Sequence, residues 1–577
     1  MKRTASFLAL LTAATALSAQ TYEQVAPQTP VAPGDPSKPK VSIEEPAAKT
    51  TPTDAEAAQQ LLPELKGLVF VSSVAGVKMN GVTQAGLDVA VVPLLDTPEF
   101  REKITPYLGK PLTMGGLKQI TREAVIALRA ANRPVVDVAV PQQAIDTGTI
   151  QLVVIEGTLG QVRVEGNRWF SSEKIAREVR IAPGQPIAGS GLLDDLSWLN
   201  QNPFRRVDLV FAPGAGDTQT DVILRVQDRF PVRVYAGYDN TGTPTTDENR
   251  VFGGVNWGNA FGRGDQLNYQ LTASPDFQQM VAHSGSYIAQ LPWRHTLTTF
   301  GSYSTSKPEV APFNLEGTAW QVGTRYKVPL KTWLRLEHAF VAGLDFKSSD
   351  NDLAFGGSSV FAQATNVIQL TLAYQATRTN DYGATSGELS VALSPGGIGV
   401  RDDDSDYTAS RAGAEARYAY VKLDLERQTK LPAAFTWVAQ AQGQLATTNL
   451  LGSEQLGFGG ANSLRGYDER EVNGDGGAML VNELRAPGFG LVKYLGVDRV
   501  RDLLVPLVFV DAGVSLIHDP LPGEDRTTSL ASTGVGVRYS LGEHLTAKVD
   551  YGWQLTDSGA SPTGDNSRAH VSVTASW

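Results

Sequence analysis

From about Phe230 to Trp577 the sequence alternates apolar and polar residues with a period of two, and this alternation limits the chain to strands over more than half its length. Leu545, Ala547, Val549, Tyr551 and Trp553 share one face of an extended segment, and Thr546, Lys548, Asp550 and Gly552 share the other. Val571, Val573, Ala575 and Trp577 alternate with His570, Ser572, Thr574 and Ser576. The same holds for Leu267, Tyr269, Leu271 and Ala273 against Gln266, Asn268, Gln270 and Thr272. It holds again for Ile368, Leu370, Leu372 and Tyr374 against Gln369, Thr371 and Ala373. Lipid offers a backbone group no hydrogen-bond partner, so strands that cross a bilayer must close into a barrel with apolar residues outside and polar ones inside. A soluble sandwich with one solvated face is the alternative. The polar second face, the aromatic strand ends and the terminal Trp577 favour the transmembrane antiparallel β-barrel. Roughly 350 residues divide into fourteen, sixteen or eighteen strands with connections of reasonable length.

The N-terminus fits that reading. Lys2 and Arg3 precede the apolar run from Ala5 to Leu17, and Ser18 and Ala19 follow, so residues 1–19 are expected to be a secretory signal peptide. No later apolar run approaches the roughly 18 residues of a membrane helix. The absence of cysteine excludes a disulfide scaffold and thiolate metal sites. Residues 20–66 read as a linker: prolines at 27, 30, 33, 36, 39, 46 and 52 make Thr21 to Pro52 extended, and Thr53 to Leu65 holds helix formers as far as Pro63.

Residues 67–158 and 159–229 read as two small α/β modules. In the first, Leu68–Val71, Val89–Leu95, Val135–Val140 and Gly148–Glu156 are strand-like, while Phe100–Leu108 and Leu117–Ala131 are helical. In the second, strand Leu159–Glu165 and helices Ser172–Val179 and Gly191–Asn200 precede a hairpin, Arg206–Phe211 and Thr220–Val226. A small sheet with an open edge can accept an extended peptide as an added strand.

One loop stands apart. Residues 455–471, QLGFGGANSLRGYDERE, surround Leu464, Arg465, Gly466 and Tyr467 with glycines, which allows tight folding around one guanidinium. Farther on, Val508, Val510, Ala512 and Val514 share one strand face, and Phe509, Asp511 and Gly513 share the other. With the valines toward lipid, Asp511 points into the barrel, where a loop carrying Arg465 can fold in and pair with it. The LRGY tetrad and the later FVDAG, in this order and before a final Trp577, resemble the two signature motifs of the hemolysin-activator transporters of two-partner secretion, within the BamA-like superfamily.

That resemblance implies a sixteen-stranded outer-membrane barrel and two periplasmic POTRA domains. It implies a lid loop whose Arg465 meets Asp511, and a short plug helix from the linker. The implied client is a large secreted β-helical exoprotein. Outer-membrane lipid and the barrel assembly machinery are implied as further partners, with no nucleic acid and no cofactor. The implied function is translocation of an unfolded exoprotein to the cell surface; an insertase for other barrels and a passive porin are the alternatives. No zinc spacing among the six histidines, no Ser/His/Asp set and no phosphate loop speaks for an enzyme. The acidic run Arg401–Asp406 lacks calcium-loop spacing and reads as a solvated outer loop.

Overall fold

Sixteen antiparallel strands close on themselves in a barrel, as backbone facing lipid requires. The computed structural model describes residues 21–30, 41–43, 57–216, 218–310, 313–333, 336–355, 358–492, 501–561 and 564–577. The expected signal peptide, residues 1–19, lies outside them. Among the described residues no helix is long and apolar enough to cross a membrane. By contact the chain divides into two units: residues 32–230, and the barrel, residues 231–577, together with the N-terminal residues up to Val31.

The barrel fixes the strand number that length alone left open. Its first strand, Val232–Asp239, pairs with its last, Ser567–Ser576, in the register Tyr235↔Ser576 to Asp239↔Ser572. Trp577 lengthens this seam through two backbone bonds with Val234, of 2.9 and 3.0 Å. At the other end the Asn240 side chain takes a strand's place: Nδ2 donates to the Ala569 carbonyl at 2.7 Å and Oδ1 accepts from Val571 N–H at 2.7 Å. The period-two pattern sorts the wall. Val508 and Val510 are 51% and 54% exposed on the outside, whereas Phe509 and Asp511 are 2% and 0% exposed inside. The seventh and eighth strands, Leu336–Phe355 and Ser358–Asn380, have 20 and 23 residues, about twice the ~9–11 that a crossing needs.

Residues 32–230 carry two sheets. The first has the order Gly86–Asp88, Gly67–Val71, Thr149–Glu156, Val136–Ala139. Helices Pro98–Ile104 and Met114–Ala130 begin at Thr97 and Thr113, whose hydroxyls accept the Phe100 and Gly116 N–H. Leu117, Ile120, Ala124 and Leu128 bury one stripe of the long helix in the core. Val89–Leu95, expected as a strand, is a turn and a short 3-10 helix instead, because Pro93 cannot donate to a ladder; Val89, Val92 and Leu95 still enter the core. The second sheet has the order Val41–Ile43, Arg205–Pro213, Gln219–Asp228, Thr158–Glu165, packed by helices Ser172–Arg177 and Gly189–Leu199. The strand Val41–Ile43 comes from the linker. It pairs in parallel with Leu209–Phe211, so one edge of this sheet is already taken.

The linker reading needs correction in three places. Tyr22–Val25 is a helix in the barrel unit, with Tyr22 against Phe300 at a ring separation of 4.5 Å and Val25 buried on Met280 and Ala282. Val41–Ile43 is a strand, and so is Gln60–Leu62, which pairs with Leu112–Thr113 and ends the expected Thr53–Leu65 helix. Positions 53–56 lie outside the described residues. Proline content marks where a chain cannot continue a helix or a ladder, yet the short segments between prolines still take partners from distant strands.

Candidate functional site: a loop folded into the barrel

The eleventh and twelfth strands, Thr436–Ala446 and Gly476–Arg485, are joined by residues 447–475. This loop turns inward. Leu456–Phe458 and Val472–Gly474 pair as a small hairpin, and Gly459, Gly460 and Gly466 adopt positive φ of 104°, 114° and 93°, which L side chains rarely tolerate. Phe458, Leu464 and Tyr467 are fully buried in a cluster with Leu456, Met479 and Leu530. At the tip the loop backbone rests on the wall: a Cβ at Gly552 would lie 2.6 Å from Gly466 N, and one at Gly513 would lie 2.9 Å from the Leu464 side chain.

Arg465 is 2% exposed and is held by three wall strands. Its Nε donates to Asp511 Oδ2 at 2.8 Å and Nη2 to Asp511 Oδ1 at 2.9 Å, a bidentate fork, while its own backbone N–H reaches Oδ2 at 3.2 Å. Nη1 donates to Glu483 Oε1 at 2.6 Å and lies 3.8 Å from Asp550 Oδ1. The guanidinium carbon sits 3.6 Å from the centre of the Phe509 ring, a cation–π contact in a desolvated place. Arg538 bridges the same carboxylates, with 2.8 Å to Glu483 and 2.7 Å to Asp550, and Arg485 Nε donates to Glu483 Oε2 at 2.7 Å. Arg465, Arg485 and Arg538 thus balance Asp511, Glu483 and Asp550.

The neighbours of Arg465 are fixed as well. Gly466 N–H donates to His570 Nε2 at 3.0 Å, and its carbonyl accepts from Gln554 at 2.9 Å. The Tyr467 hydroxyl meets the Thr556 carbonyl at 2.7 Å and the Ala531 carbonyl at 2.8 Å. Asp468 pairs with Arg568. The stem has two buried anchors. Asp475 accepts from Arg411, from Leu450 N–H at 2.9 Å and from His518 N–H at 2.9 Å; Glu454 pairs with Lys347 at 2.8 Å. Arg411 follows the helix Asp404–Ser410, and here the acidic run departs from the expected solvated loop. Asp402 is buried and accepts from Ile398 N–H, Gly399 N–H and the Tyr407 hydroxyl.

The structure therefore brings Leu464, Arg465, Gly466 and Tyr467 against Phe509, Asp511 and Gly513, and puts Trp577 apart from them at the seam. Sequence reasoning passed over Glu483, Asp550, Arg538, Gln554 and His570. The signal was present, since each is a polar residue on the inward side of an alternating strand. Which strands adjoin the loop tip depends on register that the alternation does not carry.

Comparison with known proteins places this architecture. Residues 218–539 match the family described as haemolysin secretion/activation protein ShlB/FhaC/HecB, and residues 82–157 match the ShlB-type POTRA domain. Outer membrane transporter CdiB-2 of Burkholderia pseudomallei is 23% identical over 482 residues, covering 79% of this chain and 76% of that protein. The transporter CdiB of Escherichia coli is 25% identical over 508 residues, covering 80% and 81%. The solved structure of CdiB from Escherichia coli shares the fold with a TM-score of 0.70 at 16% identity, over 92% of this chain and 93% of that one.

Proposed function

Because this chain belongs to the ShlB/FhaC/HecB family of haemolysin secretion/activation proteins, outer-membrane transporters of two-partner secretion, we propose that it carries one large, β-helical exoprotein through its barrel under control of the 447–475 loop. The observation that carries this reading is Arg465, a cation on an inward-folded loop whose buried partners all lie on the barrel wall. A loop whose tip occupies the lumen at rest must yield before a polypeptide passes. Its hold is graded: an exposed ion pair contributes roughly 0–1 kcal/mol, whereas removing one partner of a buried pair costs roughly 3–5 kcal/mol.

The client arrives unfolded in the periplasm. It meets the two small sheets, whose edges at Gly86–Asp88, Val136–Ala139 and residues 160–165 have no partner strand among the described residues, while Leu159 already bonds Gln185 and Gly184. An extended peptide can add there through main-chain bonds with little demand on its sequence. Folding at the cell surface then opposes return. Lipid surrounds the outward valines, and the cell's barrel assembly machinery inserts the barrel itself.

Proteoliposomes holding only this protein test the proposal directly. A candidate exoprotein from the neighbouring gene, added unfolded on the POTRA side, should become protected from protease. If it stays fully digestible while unrelated barrel proteins insert faster into the same vesicles, the chain is an insertase and the proposal fails.

A further inference from the structure

The N-terminal segment in the barrel is held by main-chain hydrogen bonds to wall side chains as well as by packing. Tyr22 N–H donates to Gln321 Oε1 at 3.0 Å, and the Ser284 hydroxyl donates to the Val25 carbonyl. Gln28 is read on both sides: its N–H reaches the Tyr235 hydroxyl at 3.0 Å and Gln270 Oε1 at 3.2 Å, and its carbonyl accepts from Asn256 Nδ2 at 3.0 Å. The side chain of Gln28 itself is exposed. Pairing an N–H and a C=O of one residue is what a neighbouring strand does, and here neutral side chains do it. Side-chain contacts add to this: Tyr22 lies on Phe300 and its hydroxyl bonds Ser286, Val25 sits on Met280 and Ala282, and Pro30 is buried.

These wall groups are built for the task. Tyr235, Asn256, Gln270, Ser284 and Gln321 are all less than 5% exposed, and they belong to the first, second, third, fourth and sixth wall strands. Each has a second bond: Tyr235 OH to Gln270 Oε1 at 2.9 Å, Asn256 Nδ2 to Asn268 Oδ1 at 2.9 Å, Ser284 Oγ to the Gln270 carbonyl at 3.4 Å and Gln321 Nε2 to Asp345 Oδ1 at 3.4 Å. Around Arg465, by contrast, the groups in direct contact with the inserted chain are themselves charged. The atoms that touch the segment are neutral amides and hydroxyls, which satisfy the polar groups of any peptide backbone, while the charges behind them are engaged: Arg233 donates to Asn256 Oδ1 at 3.0 Å, and Arg325 pairs with Asp345 at 2.8 Å beside Gln321.

We propose that Tyr235, Asn256, Gln270, Ser284 and Gln321 form a track that binds the main chain of an extended polypeptide in transit, and that residues 22–28 occupy it as a resident ligand in the resting protein. This rests on the translocator reading. The track gives an unfolded client successive hydrogen bonds without selecting its sequence, and each single bond, made in exchange for one to water, is weak enough to be traded for the next.

The chain has no cysteine, which makes the test clean. Single variants Ser284→Cys, Gln270→Cys and, on the eleventh strand across the lumen, Gln440→Cys are probed with an exoprotein carrying one cysteine and stalled by a stably folded C-terminal fusion. Disulfide yield should be at least about tenfold higher at positions 284 and 270 than at 440, the factor that ~1.4 kcal/mol of preferential occupancy gives. It should not change when the residues flanking the client cysteine are altered. It should rise further with Val25→Asp, which cannot enter the Met280 and Ala282 pocket. Equal yields, or a preference for position 440, would overturn the track and leave translocation standing. No yield at any of the three positions from a client exported normally would remove the track and passage through the lumen together.

Discussion

A guanidinium bonded to two carboxylates and stacked on an aromatic ring, out of contact with water, depends on all of its partners at once. Asp511 faces no cation but Arg465 within ion-pair distance among the described residues, while Glu483 and Asp550 also have Arg538. Arg465→Ala therefore leaves a bare buried carboxylate, at a local cost of roughly 3–5 kcal/mol, and frees the tip. The double variant Arg465→Ala/Asp511→Ala should cost less than the sum of the two single changes, read as protease sensitivity of residues 455–471 in intact cells. Gly552 gives a sharper steric case. A methyl there meets the Gly466 backbone at 2.6 Å, whereas a methyl at Gly513 meets first the end of the flexible Leu464 side chain. Gly552→Ala should admit large antibiotics through the barrel more than Gly513→Ala does; equal uptake would show that the tip does not rest on Gly552. Arg465 and Asp511 were legible in the sequence because a glycine-flanked Arg and an inward Asp each stand out against their own segment. Glu483 and Asp550 were not, since one carboxylate on a polar strand face differs from others only through the register that puts it beside the tip.

At the scale of elements, period-two alternation made the strands readable because side-chain direction in a strand is a property of the backbone itself. Helix Tyr22–Val25 was not readable: four residues cannot sustain a helix alone, and its support comes from Phe300, Met280 and Gln321, more than 250 residues away. Val89–Leu95 misled in the opposite way, its apolar run serving the core without joining the sheet. In the second POTRA-like sheet, Asp221 accepts from Arg163 and from Gln161 N–H at 2.9 Å, and these bonds, Arg163 first, hold its carboxyl below the usual range. A depressed carboxyl pKa contributes stability that is complete above the unfolded value of ~4 and is lost as pH falls through the lower folded value. Amide protection in Thr158–Glu165 and Gln219–Asp228, taken relative to the intrinsic exchange rate at each pH, should fall only below about pH 4, and Arg163→Met should move that onset upward. An unmoved onset would mean that Arg163 does not set it.

For the whole molecule the decisive property is closure. Length allowed several strand counts, and the resemblance, not the arithmetic, singled out sixteen; the structure supplies the pairing of first and last strands that makes the wall continuous. Asn240 extends that seam by two side-chain bonds beyond the last paired residues, so Asn240→Ala should lower the temperature at which the barrel unfolds on a gel without changing the protease sensitivity of the 447–475 loop. If a client passes through the lumen as proposed, the 447–475 loop must first leave its wall. The loop is tied to the last strand where Asp468 meets Arg568. In the otherwise cysteine-free chain, Asp468→Cys/Arg568→Cys joined by a short, reducible thiol crosslinker would fix it there. Export of the exoprotein should stop in the crosslinked protein and resume on reduction, with surface levels of the transporter unchanged. Undiminished export with the loop still crosslinked would contradict the account.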